Sequence, residues 1–189
     1  MSKGDTNKDI QMYTDQELVK GCINDDRFYQ EVLYRKHAPA MYQVCMNYAN
    51  SRDEAMEFLQ NGFIAVFNDI HKFRFEGPLA GWIRRVIVYK TIDALRKEKR
   101  YQEVINEMDA PDHISPEEFE FDSSREKLQR LVSIVNDLPA KAGLVLKLYA
   151  IEGYTHQEIS EILEISVGTS KSQLNRARAL VKEAITKNE

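Results

Sequence analysis

Apolar residues recur at intervals of three and four along almost the whole chain, and hardly anywhere at two, which predicts an all-α protein. Helix starts are marked by a small polar residue followed three positions later by Glu, a reciprocal pairing that satisfies the free amide donors of a first turn. The pattern occurs at Thr14 with Glu17, Ser51 with Glu54, Ser123 with Glu126 and Thr155 with Glu158. Together these signals predict helices over 14–23, 26–49 (kinked or broken at Pro39), 52–71, 79–100, 124–136, 139–151, 155–163 and 167–186. Pro139 suits a first helical turn, and Gly153 stops the helix before it.

One stretch interrupts the periodicity. Residues 101–122, YQEVINEMDAPDHISPEEFEFD, carry Glu103, Glu107, Asp109, Asp112, Glu117, Glu118, Glu120 and Asp122 with no Lys or Arg. Such a segment repels itself and has little to bury, so a flexible acidic linker is expected over 101–123, joining domains at 12–100 and 124–187. It also accounts for a contradiction in the charge. The chain has a formal net charge of -4, yet 165–181, ISVGTSKSQLNRARALV, holds Lys171, Arg176 and Arg178 and no acid. The average hides a segregation, with carboxylates in the linker and cations on helical faces.

Composition narrows the function classes. No run approaches the roughly 18 apolar residues of a membrane span, and the N-terminal MSKGDTNKDIQMYTDQ lacks the apolar centre of a signal peptide, so a cytoplasmic protein without direct membrane insertion is expected. Cys22 and Cys45 lie far apart in helical pattern with no His at zinc-ligand spacing and read as buried free thiols. His37, His71, His113 and His156 are scattered, and no paired carboxylates, activated nucleophile or phosphate cradle appears. No catalytic residue, metal or cofactor is expected.

The C-terminal segment reads as a helix-turn-helix. THQEISEILEI, then SVG, then the basic helix give a short helix, a tight turn and a longer helix over a third helix at 143–151. Ile159, Ile162, Leu163 and Ile165 mark one apolar side, and Leu174, Ala177, Val181 and Ala184 the matching stripe. Ser166 is the expected cap. On the outer side fall Thr169, Lys171, Ser172, Gln173, Asn175 and Arg176, residue types suited to base edges and phosphates in a major groove. A three-helix packing module with a solvated basic face is the plainer alternative, but capped turn, stripe and acid-free face together favour DNA.

In the first half, LAGWIRRVIVYKTIDALRKEKR is again basic, with Trp82, Val86, Ile92 and Leu95 expected to supply its core face. Before it the loop KFRFEGP interleaves Phe73 and Phe75 with Lys72 and Arg74, the combination by which exposed bases stack while phosphates meet charge. The alternative is that both Phe residues and Trp82 are simply core. The preceding helix has an apolar band of Phe58, Leu59, Phe63, Val66, Phe67 and Ile70, and an opposite face of Asp53, Glu54, Glu57, Gln60 and Asn61. That face is either solvated surface or a site for a basic protein partner.

These segments also look familiar. LPAKAGLVLKLYAIEGYTHQEISEILEISVGTSKSQLNRARALVKE resembles the fourth conserved region of bacterial sigma factors, and FLQNGFIAVF through FEGPLAGWIRRVIVYKTIDALRK resembles their second region. The phrase GTSKSQL followed by RAR is the most specific part. Spacing and linker are similar to the extracytoplasmic-function (ECF) group of the sigma-70 family, over roughly 15–186, in wording most like Bacteroidetes-type members. The resemblance implies a promoter-specificity subunit that binds core RNA polymerase, docks on a double-stranded minus-thirty-five element and melts the minus-ten element.

By position, it assigns Thr169, Lys171, Ser172, Gln173, Asn175 and Arg176 to the upstream element. Phe73, Arg74, Phe75 and Glu76 would receive a flipped base of the single-stranded minus-ten element, with Arg84, Arg85, Tyr89 and Lys90 following the strand. Asp53, Glu54, Glu57, Gln60 and Asn61 would contact the largest polymerase subunit, and the acidic linker would imitate RNA near the exit path. A membrane-bound anti-sigma factor is a family expectation that no residue here identifies. Three positions depart from the family pattern: Asn61 stands for an acid, Tyr89 for Asn, and Gln173 for Arg. A stand-alone helix-turn-helix regulator is the competing class, and it leaves the first domain unexplained. A purely protein-binding adaptor leaves two basic helices unexplained.

Overall fold

The computed structural model describes residues 13–105 and 123–186. Among the described residues there is no strand, and the chain divides between Ile105 and Asn106 into two compact helical units.

The first unit contains α1 (Asp15–Ile23), α2 (Arg27–Met46), α3 (Arg52–Asp69), a 3-10 turn (Ile70–Lys72) and α4 (Leu79–Ile105). The first start is a complete capping box: the Glu17 amide donates to Thr14 Oγ1 at 3.3 Å, and the Thr14 amide to Glu17 Oε2 at 2.8 Å. Asp26 caps α2 through the Phe28 amide at 2.9 Å. At α3 the box is shifted. Ser51 Oγ accepts from the Glu54 amide at 3.1 Å, but the Glu54 carboxylate accepts from the Asn50 amide.

Pro39 does not break α2, which continues through it to Met46. Both Pro39 and Arg35, whose carbonyl loses its helical donor, are exposed, so the missing bond leaves no buried polar group behind. The core lies between α3 and α4, closed by α1 and α2. Gly62 is what lets the two long helices approach, because a Cβ there would sit 2.8 Å from Ile87 Cγ1. The buried stripe of α4 is Leu79, Ile83, Ile87, Val88, Thr91 and Ile92. The expected stripe was partly misplaced: Ile92 is core, but Trp82, Val86 and Leu95 are only half-buried.

α4 also runs past its expected end at 100. Residues 101–105, YQEVI, expected in the linker, are helical, since they contain neither Gly nor Pro and simply extend a helix already nucleated. Residues 106–122, the rest of the expected linker, lie outside the described residues.

The second unit contains α5 (Ser123–Asn136), α6 (Ala140–Leu146) passing into a π turn (Lys147–Ile151), α7 (His156–Leu163) and α8 (Val167–Thr186). The Ser123–Glu126 side chains lie outside the described residues. Pro139 sits at the N-cap of α6, and Gly153, at φ 76°, follows the π turn. Thr155 and Glu158 form the second complete box, and α7 ends on Glu164 in the left-handed region at φ 54°. α8 packs across both α6 and α7, with Val145, Leu148, Ile159, Leu174 and Ala177 buried between them.

Candidate nucleic-acid interfaces

In the second unit the tight turn between α7 and α8 is closed by Ser166, whose Oγ accepts from the Thr169 amide at 2.9 Å and lies 2.8 Å from Thr169 Oγ1. With Leu174 and Ala177 facing inward, Lys171, Ser172, Asn175 and Arg176 are exposed, and Thr169 and Gln173 are half-buried at the flank. The Ser172 hydroxyl donates back to the Thr169 carbonyl at 2.9 Å. The result is a helix surface whose free-ended groups are mostly cationic or amide, beside a helix start that favours an anion.

Residues outside that face hold it in place. Ser170 is fully buried, and its Oγ lies 2.9 Å from Nδ1 of His156 at the start of α7. The His156 ring stacks on Tyr149 with centroids 4.9 Å apart, and the Arg178 guanidinium lies 5.6 Å from the Tyr149 ring centre. One chain of contacts therefore joins the π turn, α7 and α8. Sequence reading missed this network because its members are far apart in the chain. The only signal was Ser170, a polar residue on the same stripe as Leu174 and Ala177.

In the first unit the loop between the 3-10 turn and α4 divides its aromatic residues. Phe73 is buried, with ring centroids 5.6 Å from Trp82 and 4.7 Å from Phe75. Phe75 is 49% exposed and has φ 59°, an unusual conformation for a bulky residue. Strained backbone of this kind is maintained only by its surroundings. Arg74 and Glu76 are exposed beside it. Along α4, Arg85, Tyr89 and Lys90 are exposed and Arg84 half-buried, so the four follow the loop on the outer side.

The charges around the loop are organised. Asp69 accepts from Lys72 Nζ at 2.6 Å, and this hydrogen bond, with the Lys72, His71 and Lys90 charges, holds its carboxyl below the usual range. Farther down α4, Asp93 is likewise lowered, first by its hydrogen bond to Lys97, with Arg96 3.2 Å away. The cations nearest the Asp93 end are thus partly neutralised.

On α3, Asp53, Glu57, Gln60 and Asn61 are exposed. Glu54 is half-buried, and its carboxylate is occupied by the Asn50 amide. The same face includes two residues that sequence reading missed, Met56 at 42% and Ile64 at 59% exposure. Their signal was legible as apolar positions out of step with the core band.

Cys22 and Cys45 are buried free thiols, each pushed up to about 11, chiefly by burial. Among the described residues no cluster of three or more His, Cys, Asp or Glu could hold a metal ion, and no helix is long and apolar enough to cross a membrane.

Fold and surfaces together define an all-helical, two-module helix-turn-helix protein. Residues 33–101 match the family described as Sigma-70 region 2, and residues 128–181 match Sigma-70, region 4. The ECF RNA polymerase sigma-E factor of Haemophilus influenzae is 26% identical over 183 residues, covering 91% of this chain and 95% of that protein. SigV of Bacillus subtilis is 25% identical, covering 93% and 96%. SigE of Mycolicibacterium smegmatis is 26% identical, covering 82% of this chain but only 61% of that longer protein.

Among solved structures, the sigma factor RpoE in complex with the anti-sigma factor NepR from Bartonella quintana superposes with a TM-score of 0.56 at 20% identity, covering 86% and 98%. CnrH in complex with the cytosolic domain of CnrY gives 0.53 at 19%, covering 93% and 99%, and both likenesses speak to the fold alone. The chain belongs to the sigma-70 family, in its ECF group, whose members direct RNA polymerase to promoters.

Proposed function

We propose that the two units divide promoter recognition between them. The second unit, through Lys171, Ser172, Asn175 and Arg176 with Thr169 and Gln173 at the flank, reads a double-stranded upstream element. The first unit captures a single strand of the minus-ten element, with Phe75 as the stacking residue, Arg74 and Glu76 beside it, and Arg84, Arg85, Tyr89 and Lys90 following the backbone. Phe73 is the floor of the loop rather than a stacking surface. Core polymerase docks on α3 through Asp53, Glu57, Gln60 and Asn61, with Met56 and Ile64 adding apolar contact. The domains follow the same division, with the bounds moved to the helix ends: 12–105 for core and minus-ten binding, 106–122 as linker, 123–187 for the upstream element.

The observation that carries this reading is Phe75. It is a half-exposed aromatic in a left-handed conformation at the head of a basic helix, and neither a stand-alone repressor nor an adaptor has a use for it. Each unit offers few cations, so the free chain binds DNA weakly and with a steep salt dependence, and tight binding requires core polymerase to hold both sites together. An anti-sigma factor, as in the Bartonella complex, is the regulator this reading implies.

The test is transcription of a genomic promoter library by purified core polymerase with and without this chain, with sequencing of transcript starts. New starts sharing two upstream motifs at fixed spacing are expected. No new starts, combined with tight promoter binding by the chain alone, would favour the stand-alone regulator.

A further inference from the structure

Three helices of the first unit meet at one carboxylate. Asp15 is the first residue of α1, directly after the Thr14 cap, and an acid there ordinarily serves its own helix. Its oxygens instead reach across the chain. Oδ2 accepts from the amide of Leu79, 64 residues away, at 3.4 Å. Oδ1 lies 3.5 Å from Lys36 Nζ on α2, and that ammonium also donates to the Tyr13 carbonyl at 3.3 Å.

Leu79 is the first residue of α4, so its amide has no acceptor within its own helix. It is fully buried and immediately follows Pro78, which supplies no donor of its own. α1 also packs on the 3-10 turn Ile70–Lys72. The helix bearing Asp15 therefore touches both ends of the loop that carries Phe73 and Phe75. A loop holding a bulky residue at φ 59° needs ends that do not move, and the Asp15 bond to Leu79 fixes one of them.

We propose that Asp15 is a positioning residue for promoter opening: by accepting from the Leu79 amide it sets the start of α4 and holds Phe75 outward. The proposal rests on the assignment of strand capture to this loop. The part of Asp15 that matters is the acceptor facing Leu79, whereas the Lys36 contact is made by the other oxygen. Opening of the promoter therefore depends on the bond to Leu79 more than on the ion pair.

The test uses the full chain as wild type, Asp15→Asn, Asp15→Ala and Lys36→Met. Amide hydrogen exchange at Leu79 is measured in the free protein, and permanganate reactivity of unpaired thymines with core polymerase on a promoter the wild type opens. Ile83 and Ile87 amides report whether the helix itself is intact, and fluorescence quenching of Trp82, the chain's single tryptophan, reports the loop. Losing one hydrogen bond of this kind corresponds to about tenfold. Asp15→Ala is expected to speed exchange at Leu79 about tenfold with Ile83 and Ile87 unchanged, to make Trp82 more accessible to quencher, and to lower opening by a similar factor while core association is retained. Asp15→Asn and Lys36→Met are expected to stay near wild type in both readouts.

Across every variant that folds, opening must track Leu79 protection. A variant that loses protection and opens normally overturns the proposal, as does one that keeps protection and fails to open. Should Asp15→Ala not fold, Asp15→Leu, which fills the space without an acceptor, takes its place with the same expected losses. Failure of the wild-type holoenzyme to open any promoter, with Leu79 protected as expected, would count instead against the assignment of strand capture to this loop.

Discussion

The Nδ1 atom of His156 lies 2.9 Å from the hydroxyl oxygen of Ser170, which has no solvent exposure at all. One residue opens the first helix of the helix-turn-helix and the other sits two residues after Gly168 in the second, so the bond fixes one helix against the other. A buried hydroxyl needs this partner, and a hydrogen bond of this type contributes about 1 kcal/mol. A double-mutant cycle with Ser170→Ala and His156→Ala, read by thermal melting of the full chain, should give a coupling of about 1 kcal/mol, compared with near zero for independent residues. Additive losses would mean that the two side chains merely pack side by side.

Phe73 and Phe75 are two positions apart and should behave in opposite ways. Phe73 is core, so Phe73→Ala should cost about 3–5 kcal/mol in unfolding free energy, measured by urea denaturation. Phe75 is half-exposed, so Phe75→Ala should leave the denaturation midpoint almost unchanged. Its effect should appear on binding of the holoenzyme to single-stranded minus-ten oligonucleotide, at about 1–3 kcal/mol. Equal destabilisation by the two substitutions would return Phe75 to the core and remove the stacking surface.

The contrast between these two residues also marks where the chain was legible. Helix starts could be read directly, because Thr14 with Glu17 and Thr155 with Glu158 depend only on neighbours in sequence, and both boxes are present. The loop was recognisable as aromatic among cations, but which Phe faces water depends on Trp82, nine residues beyond Phe73 on the next helix. Similarly, WIRRVIVYK carries two adjacent apolar rows. Choosing Ile83 and Ile87 over Trp82 and Val86 requires knowing that Gly62 of α3 receives Ile87. The shifted box at Ser51 and the contacts of Asp15, Leu79, His156 and Ser170 are tertiary, and no local pattern encodes them. At Pro39 the sequence left kink and break open, and the helix continues through it because the cost of the proline depends on exposure that the sequence alone does not state.

Arg176 and the α3 face should separate experimentally. Arg176→Ala removes an exposed cation from the recognition helix and should weaken upstream-element binding by about 1–3 kcal/mol, with core association unchanged. Glu57→Ala with Gln60→Ala should do the reverse, lowering core capture in a pull-down, and Ile64→Asp should deepen that loss by placing a charge in an apolar contact. Glu54→Gln should matter little for core capture, because its carboxylate already serves the Asn50 amide. Loss of polymerase association in Arg176→Ala would overturn this division of labour.

His37 gives the first unit a pH dependence whose sign follows from its surroundings. The ring is buried on α2, and burial, followed by the neighbouring Lys36 charge, lowers its pKa below the usual 6.5, while Asp15 opposes the shift. The folded state therefore binds a proton on His37 less readily than the unfolded chain does. Its contribution to stability is fully present above about pH 6.5 and is lost as pH falls through the folded value. Nε2 has no hydrogen-bond partner among the described residues, so replacing the ring with an apolar side chain removes a polar atom that gains nothing from burial. Thermal melting between pH 5 and 8 should show the wild type losing stability on the acid side and His37→Leu losing less of it. Parallel profiles for the two proteins would assign the acid sensitivity to another group and show that His37 is protonated as easily folded as unfolded.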